Sequence, residues 1–226
     1  MKRLDKRNVL VIADSHLPFE EKGYLEFCLK IQRENNCGTV VHIGDLVDNH
    51  AISYHESDPN LSSAKDEMDK VDSVLKDWFK AFPKLTLTKG NHDILVDRKG
   101  KTSGLPERCF RPFREIWQLP KGWKDCFEVV IDNVLYKHGT GNSGKLAHLN
   151  LAIANRMSTV MGHSHSFAGI AYSASPKDCI FGMNVGSGVD NSALAFAYGK
   201  DLKNKPIVSC GVVFNGENPQ IFRMVL

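Results

Sequence analysis

The sequence predicts an α/β protein, in which two mixed β-sheets pack face to face and helices cover their outer sides as a four-layer α-β-β-α sandwich. The first third reads strand, helix, strand, an order that implies parallel neighbouring strands. The N-terminal half is richer in helical patterns and the C-terminal half in strand-like runs. Because no internal repeat or low-complexity linker divides the chain, we expect residues 1–226 to form a single domain.

The first half alternates short apolar runs with amphipathic patterns. Residues 9–13 and 39–43 are nearly continuous apolar runs, typical of strands that are buried on both faces. Residues 20–35 and 62–82 repeat apolar side chains at spacings of three and four, which predicts two helices. A third strand is predicted at residues 85–88.

The second half begins with a predicted hairpin. Residues 127–131 and 134–138 are strand-like, and Asp132 and Asn133 between them supply a tight turn. Residues 144–155 predict a helix. Further strand-like runs lie at residues 159–161, 167–174, 179–185, 207–214 and 220–225.

Residues 94–129 form a basic segment that also contains glycine, proline and aromatic residues. Eight basic and five acidic residues give it an excess equal to the whole net charge of +3. We expect a lid-like insertion over a site, with a short helix around residues 113–117. Cations interleaved with aromatics suit nucleic acid, through phosphate attraction and base stacking. Alternatively, the segment is a folded lid with solvated charges, whose aromatics belong to the core: Phe110, Phe113, Trp117 and Trp123.

Composition excludes several classes of protein. No apolar run approaches the length of a membrane span, and the first run is too short for a signal-peptide core, so we expect a cytoplasmic protein without a membrane partner. The six cysteines are scattered without a C-x-x-C pair, which argues against a zinc ribbon or a redox motif. We expect them to be buried free thiols.

Five short polar clusters follow predicted strands, where α/β proteins place their functional sites. Each cluster alone is explained by a turn or a helix cap, but five coincidences at strand ends are a poor explanation of the set. Histidine, aspartate and asparagine together suit manganese, iron, zinc or nickel. The clusters are residues 14–16, 44–48, 90–93, 138–139 and 162–165.

In order, these clusters resemble the D-x-H, G-D-x-x-D, G-N-H-[D/E], H and G-H-x-H motifs of the calcineurin-like metallophosphoesterase superfamily. The residues at 184–187, N-V-G-S, also resemble an N-P-G-S element of small family members, with valine in place of proline. The resemblance implies a hydrolase of phosphoesters that uses two divalent metal ions. We expect manganese, and iron, zinc or nickel would also suit the ligands.

The resemblance also implies a ligand set. One metal would be bound by Asp14, His16 and His165, and the second by Asn91, His138 and His163, with Asp45 bridging both. A metal-bridging hydroxide would then attack phosphorus.

Two further residues follow from the resemblance as catalytic groups. His92 would protonate the leaving group or stabilise its charge, and with Asn91 it would contact the substrate. Asp93 would orient His92 through the other ring nitrogen. The role of Asp48 stays open between orienting a ligand and capping a helix, and His50 and His55 are further candidates for substrate contact.

The residues after Asp48 bear on the substrate. Protein phosphatases of this superfamily continue with Arg-Gly, whereas this chain has Asn49 and His50. We therefore expect a phosphodiesterase acting on nucleotides or nucleic acid, with a phosphomonoesterase of the same fold as the alternative. A non-catalytic metal-binding scaffold would predict lost ligands or a missing His92, and all of these residues are present.

A glycine-rich loop at residues 139–145 has the G-x-x-x-x-G-K spacing of a P-loop. Leu146 replaces the serine or threonine that would hold magnesium in a P-loop nucleoside triphosphatase, which makes this alternative unattractive. We expect instead that the loop lends backbone N–H groups and Lys145 to the substrate phosphate.

Overall fold

Eleven strands form two mixed sheets in the part of the chain that the computed structural model describes, namely residues 4–54, 60–190, 192–193 and 204–226. The six-stranded sheet has the order β11-β10-β1-β2-β3-β4 and comprises β1 (Asp5–Ile12), β2 (Cys37–His42), β3 (Leu85–Thr88), β4 (Trp123–Cys126), β10 (Ser209–Phe214) and β11 (Asn218–Arg223). In this sheet β1 to β4 are parallel, and β10 runs antiparallel to both β1 and β11.

The five-stranded sheet has the order β5-β6-β7-β9-β8 and comprises β5 (Glu128–Ile131), β6 (Val134–Lys137), β7 (Ser158–Met161), β8 (Ala168–Ala174) and β9 (Cys179–Val185). The predicted hairpin is the pair β5 and β6. Asp132 and Asn133 at its turn both have positive φ, at 49° and 61°, as a two-residue hairpin turn requires. The five helices of the described chain are α1 (Tyr24–Glu34), α2 (Ala64–Ala81), α3 (Leu95–Thr102), α4 (Phe113–Ile116) and α5 (Ala147–Asn155).

Alternating side chains of β1 explain why two sheets and an outer helical layer are needed. Val9 and Val11 belong to a core that lies between the two sheets and includes Tyr136 and Met183 of the second sheet. Leu10, like Ile12, faces the opposite way, into a core shared with α1 and α2. The apolar run is therefore buried on both faces, as predicted.

The helices cover the outer side of each sheet. On the first sheet, Trp78 of α2 is fully buried and packs 6.5 Å from Tyr24 of α1, measured between ring centroids. On the second sheet, Ala147 and Leu151 of α5 pack against Met161 of β7. The predicted four-layer sandwich is confirmed.

The basic segment contributes a strand that was not predicted from the sequence. Its last part forms β4, which pairs with β3 and extends the first sheet, and its middle contains the expected short helix as α4. Phe113, Trp117 and Trp123 are buried in the core beside α2. The Nε1–H of Trp123 donates a 2.7 Å hydrogen bond to the carbonyl of Phe82. These three aromatics are core side chains and offer no surface for base stacking.

The cysteines and the helices bear on two further expectations. Cys28, Cys37 and Cys210 are buried and free, as expected, whereas Cys109 and Cys179 are free but exposed. In the described chain no helix combines the length and the apolar character needed to cross a membrane.

Candidate metal centre

The loops that carry the five clusters meet where the ends of the two sheets come together. Asp14, Asp45 and Asn91 follow β1, β2 and β3 of the first sheet, whereas His138 and His163 follow β6 and β7 of the second. The N–H of His163 donates a 2.9 Å hydrogen bond to Oδ2 of Asp14, which joins the two sheets at the site. The strands that precede these loops end on the same side of the molecule, so side chains that are far apart in the sequence lie close together.

Four of the predicted ligands have a left-handed backbone, which non-glycine residues rarely adopt and which costs about 1 kcal/mol or more each. The surrounding structure must hold these conformations, and they cluster at this one place in the fold. They are Asp14 (φ 50°), His16 (φ 48°), Asp45 (φ 49°) and His163 (φ 67°).

Two glycines of the motifs allow the loops to approach the carboxylates. A Cβ at Gly162 would lie 2.2 Å from Oδ2 of Asp14, and a Cβ at Gly90 would lie 2.2 Å from Oδ1 of Asp45. Both distances are far below van der Waals contact. The glycines of G-H-x-H and G-N-H are therefore required by the packing of one loop against the next.

Asp14, His16 and His165 form the first group of candidate ligands. Nε2 of His165 lies 3.1 Å from Oδ1 of Asp14 and 3.1 Å from Nε2 of His16. Asp14 and His16 are buried, and His165 is 23% exposed, so the group opens to solvent on the side of His165.

His138 is the centre of the second group. Its Nε2 lies 3.1 Å from each of three atoms: Oδ2 of Asp45, Oδ1 of Asn91 and Nδ1 of His163. Oδ2 of Asp45 is also 3.7 Å from Nε2 of His16 in the first group. Asp45 therefore lies between the two groups, where the bridging ligand was expected.

The chemistry of these donors fits two divalent cations. Several lone pairs converge at about 3 Å from one another, which is the separation of neighbouring ligands about 2.1 Å from a common ion. Burial disfavours the imidazolium form of His138, but the charge and hydrogen bond of Asp45 outweigh it and raise the pKa of His138 to about 9. The site thus attracts positive charge, and a metal ion would displace the proton that His138 otherwise binds.

His92 lies beside the first group, with its ring centroid 4.6 Å from that of His16. Its Nδ1–H donates to the backbone carbonyl of Asp48 at 2.6 Å, and Oδ1 of the same residue is 3.3 Å away. Burial lowers the pKa of His92, but the hydrogen bond with Asp48 and nearby carboxylate charges outweigh it, so the pKa is raised above its ordinary value.

Asp93 does not orient His92, contrary to the expectation from sequence. Its Oδ1 accepts hydrogen bonds from the N–H groups of Leu46 (2.9 Å) and Val47 (3.2 Å), and its Oδ2 accepts one from Gly90 (2.8 Å). The side chain points away from the neighbouring ring, and it ties the second and third motif loops together. Asp93 is thus a structural residue of the site.

Asp48 has the orienting role instead, and it acts on two histidines. Besides holding Nδ1 of His92, it lies 2.5 Å from Nδ1 of His16 through Oδ1. This contact leaves Nε2 of His16 to face the first group of ligands. The sequence signal was present as the second aspartate of G-D-x-x-D, but it did not decide between ligand orientation and helix capping.

Two other residues support the site. The side-chain amide of Asn184, in the N-V-G-S element, donates to the carbonyl of Gly162 at 3.2 Å and so holds the loop of His163. Thr140, on the glycine-rich loop, brings its hydroxyl within 3.4 Å of Oδ1 of Asn91. The spacing of the glycine-rich loop had drawn attention to Lys145 rather than to Thr140.

The remaining candidates differ in position. Lys145 is exposed on the glycine-rich loop, and no hydrogen bond joins it to a described residue of the site. His50 is buried, with Nδ1 3.7 Å from Oδ2 of Asp48, so it belongs to the interior beneath His92. His55 lies outside the described residues.

The fold and the site together define an α/β protein with histidine and carboxylate groups that could hold metal ions at the junction of two sheets. A family model described as calcineurin-like phosphoesterase matches residues 7–180, which include all five motif clusters and the glycine-rich loop. The chain belongs to the calcineurin-like phosphoesterase family. This family implies divalent metal ions.

Solved structures that align with most of this chain have low sequence identity to it. Vps29 from Entamoeba histolytica, as a single mutant, is 14% identical, with 96% of this chain and 99% of that chain covered and a TM-score of 0.42. YfcE, a phosphoesterase from E. coli, is 15% identical over 92% and 88% of the two chains, with a TM-score of 0.43. A dimetal phosphatase from Danio rerio is 10% identical over 96% and 95%, with a TM-score of 0.49. No curated protein sequence matches significantly.

Proposed function

We propose that the protein is a metal-dependent phosphodiesterase that hydrolyses its substrate with two divalent metal ions. The observation that carries this proposal is the position of His92. The ring of His92 lies beside the candidate ligands. The carbonyl of Asp48 accepts its Nδ1–H, so Nε2 can face a substrate. A set of buried ligands alone would suit a structural metal, whereas an oriented histidine beside it suits proton transfer.

The ligand roles follow from the two groups. Asp14, His16 and His165 would hold one ion, and Asn91, His138 and His163 the other, with Asp45 between them. Two bound divalent ions would neutralise the phosphate charge and lower the pKa of a water molecule near phosphorus. Asn91 would also contact the phosphate, because it lies at the more open edge of its group beside Thr140.

His92 would supply the proton that the leaving oxygen needs. With Nδ1–H held by Asp48, the protonated ring presents its second N–H, on Nε2, as the acid. The raised pKa of His92 increases the protonated fraction near neutral pH. General acid catalysis of this kind contributes about 10²–10⁴-fold.

Asn49 supports the choice of a diester over a monoester. It occupies the position of the phosphate-binding arginine that we expect in protein phosphatases, and its side chain is turned inward to donate to the carbonyl of His92 at 2.9 Å. A monoester carries up to two negative charges at neutral pH and a diester one, so the diester needs less added positive charge.

Nucleotides or nucleic acid remain our proposed substrate class, now on the basis of charge rather than stacking. Arg108 and Arg111 are exposed between α3 and α4 in the basic segment, and Lys145 is exposed on the loop after His138. Such cations would attract the phosphates of a longer substrate. Phe113, Trp117 and Trp123, being buried, add nothing to this surface.

The test is hydrolysis of bis(p-nitrophenyl) phosphate by the purified protein with added Mn²⁺. We expect Mn²⁺ to stimulate the rate, a chelator to abolish it, and the monoester p-nitrophenyl phosphate to be the poorer substrate. Single-stranded DNA, RNA and cyclic nucleotides, compared in parallel, would identify the natural class. Protein that binds no metal after Mn²⁺ supplementation contradicts the proposal, and a preference for the monoester favours a phosphomonoesterase.

A further inference from the structure

Residues 48–51 wrap around His92 and hold it at two points. The carbonyl of Asp48 accepts the ring Nδ1–H at 2.6 Å, and the side-chain amide of Asn49 donates to the backbone carbonyl of His92 at 2.9 Å. Ring and backbone are thus fixed by two consecutive residues. Any shift of this segment would change the direction in which Nε2 points.

A buried glutamate from α2, the next helix along the chain, holds this segment in turn. Glu67 lies in the first turn of α2 and is 5% exposed. Its Oε1 accepts the N–H of His50 at 2.8 Å, and its Oε2 accepts the N–H of Ala51 at 2.9 Å. These two groups begin the 3₁₀ turn His50–Ile52, where the backbone N–H groups have no partner within the turn.

Packing does not replace these two hydrogen bonds. A small pocket of about 40 Å³ lies between the segment, α2 and α3, and Ala51, Ile52, Met68 and Val96 are among its lining residues. This pocket leaves space on one side of the segment, so the two hydrogen bonds of Glu67 matter more for its position on that side. Removal of both acceptors would leave one buried and one partly buried N–H group without a hydrogen bond, so the segment would move to find other partners.

We propose that Glu67 is a positioning residue for leaving-group protonation, because it fixes the segment that aims His92. This inference rests on the proposed function, since it requires His92 to act as the acid. It predicts a specific kinetic pattern. The rate lost on removing Glu67 grows with the need of the leaving group for a proton, whereas the metal is retained at saturating Mn²⁺, because Glu67 touches none of the predicted ligands and reaches His16 only through Asp48.

The experiment compares Glu67→Ala and Glu67→Gln with wild type on methyl p-nitrophenyl phosphate and methyl phenyl phosphate. The two diesters differ in the leaving group, and phenolate needs protonation more than p-nitrophenolate does. We expect Glu67→Ala to lower kcat on the phenyl ester about tenfold or more, and on the nitrophenyl ester about twofold or less. The kcat of Glu67→Gln should lie between those of Glu67→Ala and wild type, because its amide oxygen still accepts one N–H. Bound Mn²⁺ should equal that of wild type.

Val71→Ala is the matched control for stability. Val71 is buried on the core face of the same helix, one turn beyond Glu67, so its truncation loosens α2 without removing a partner of residues 48–51. We expect Val71→Ala to lower kcat by the same small factor on both esters. A second readout is amide hydrogen exchange of His50 and Ala51 in the metal-free protein, which should accelerate in Glu67→Ala but not in Val71→Ala.

Equal losses on both esters, or unchanged exchange at His50 and Ala51, would overturn the positioning role while leaving the proposed function intact. A wild-type protein that hydrolyses neither ester with Mn²⁺ bound overturns the proposed function itself, and the kinetic role of Glu67 falls with it. If Glu67→Ala does not fold, Glu67→Gln carries the comparison.

Discussion

At the residue scale, neighbouring histidines outweigh burial and keep the site carboxylates ionised. Asp45 is 1% exposed, and burial alone would raise its pKa, but His138, His92 and His16 hold the pKa well below its ordinary value. Asp14 is held low in the same way by His16 and His165. The carboxylates therefore stay ionised in the interior, where an unpaired charge is costly. Such a cluster is stable only with protons or metal ions among its ligands.

Two substitutions separate metal binding from proton transfer. Asp45→Ala should lose metal and activity together, because it removes the oxygen that lies between both ligand groups. His92→Ala should keep its metal and lose about 10²–10⁴-fold in kcat on methyl phenyl phosphate, whose leaving group needs a proton. Metal content by elemental analysis and Mn²⁺-dependent hydrolysis measure the two effects.

Asp69→Ala, on the exposed face of α2, is the control and should match wild type in both assays. Loss of metal from His92→Ala would show that this histidine is a ligand rather than the acid. A fully active Asp45→Ala variant would contradict the assigned site.

At the scale of elements, β4 gives the basic segment a structural role. Trp123 begins this strand and is 1% exposed, and Trp117, just after α4, is 3% exposed. Lys124 on β4 is exposed, in keeping with an edge strand that carries charge to prevent further pairing. The segment therefore has buried tryptophans that pack in the core and charged side chains on its outer surface.

Truncation of the buried Trp123 should lower the stability of the fold. We expect Trp123→Ala to lower the free energy of unfolding by about 3–5 kcal/mol, because it removes a large side chain from the core beside α2. Phe127→Ala, at a 61% exposed position just after β4, is the control and should change stability by less than about 1 kcal/mol. Urea denaturation measures both variants, and a stable Trp123→Ala protein with weakened substrate binding would contradict this interpretation.

Glu20 makes the packing around α2 sensitive to pH. It accepts the Nε1–H of Trp78 at 2.9 Å, and burial raises its pKa from 4.5 to about 7. The folded chain binds this proton more tightly than the unfolded chain does. The resulting stabilisation is present below about pH 4.5 and is lost as the pH rises through about 7.

Glu20→Gln should therefore be more stable than wild type at pH 8, by about 2 kcal/mol, and close to wild type at pH 5. The amide oxygen of glutamine can still accept the indole N–H. Urea denaturation at both pH values tests this, with the exposed Glu115→Gln as a control whose effect should be equal at both. A Glu20→Gln variant that is less stable at pH 8 would show that ionised Glu20 is favourable.

At the scale of the whole molecule, the site joins the two sheets. Its ligands follow β1, β2 and β3 on one sheet and β6 and β7 on the other, and they bring buried carboxylates together at the junction. A metal ion bound there would contact residues from both sheets. Metal binding would therefore stabilise the whole fold rather than one loop.

We expect a chelator to lower Tm and Mn²⁺ to restore it. Metal at about 100 times its Kd adds about 2.7 kcal/mol, which corresponds to about 5–10 °C for a chain of this length. Differential scanning calorimetry measures the change, and Asp45→Ala should show none. A wild-type Tm that is indifferent to metal would mean that the ligands do not hold an ion across the sheets.

The sequence by itself predicted the layers of the fold and which residues are candidate ligands. Strand periodicity and motif residues are local features, so the burial of β1 and the placement of Asp14, Asp45 and His163 at strand ends could be predicted. The tertiary structure decided which side chains act on one another. Asp93 is adjacent to His92 in the chain, yet Asp48 holds its ring, because the path of the loops and not the order of residues sets the contact. Glu67 had no local signal at all, since its two hydrogen bonds form only when α2 packs against the segment after β2.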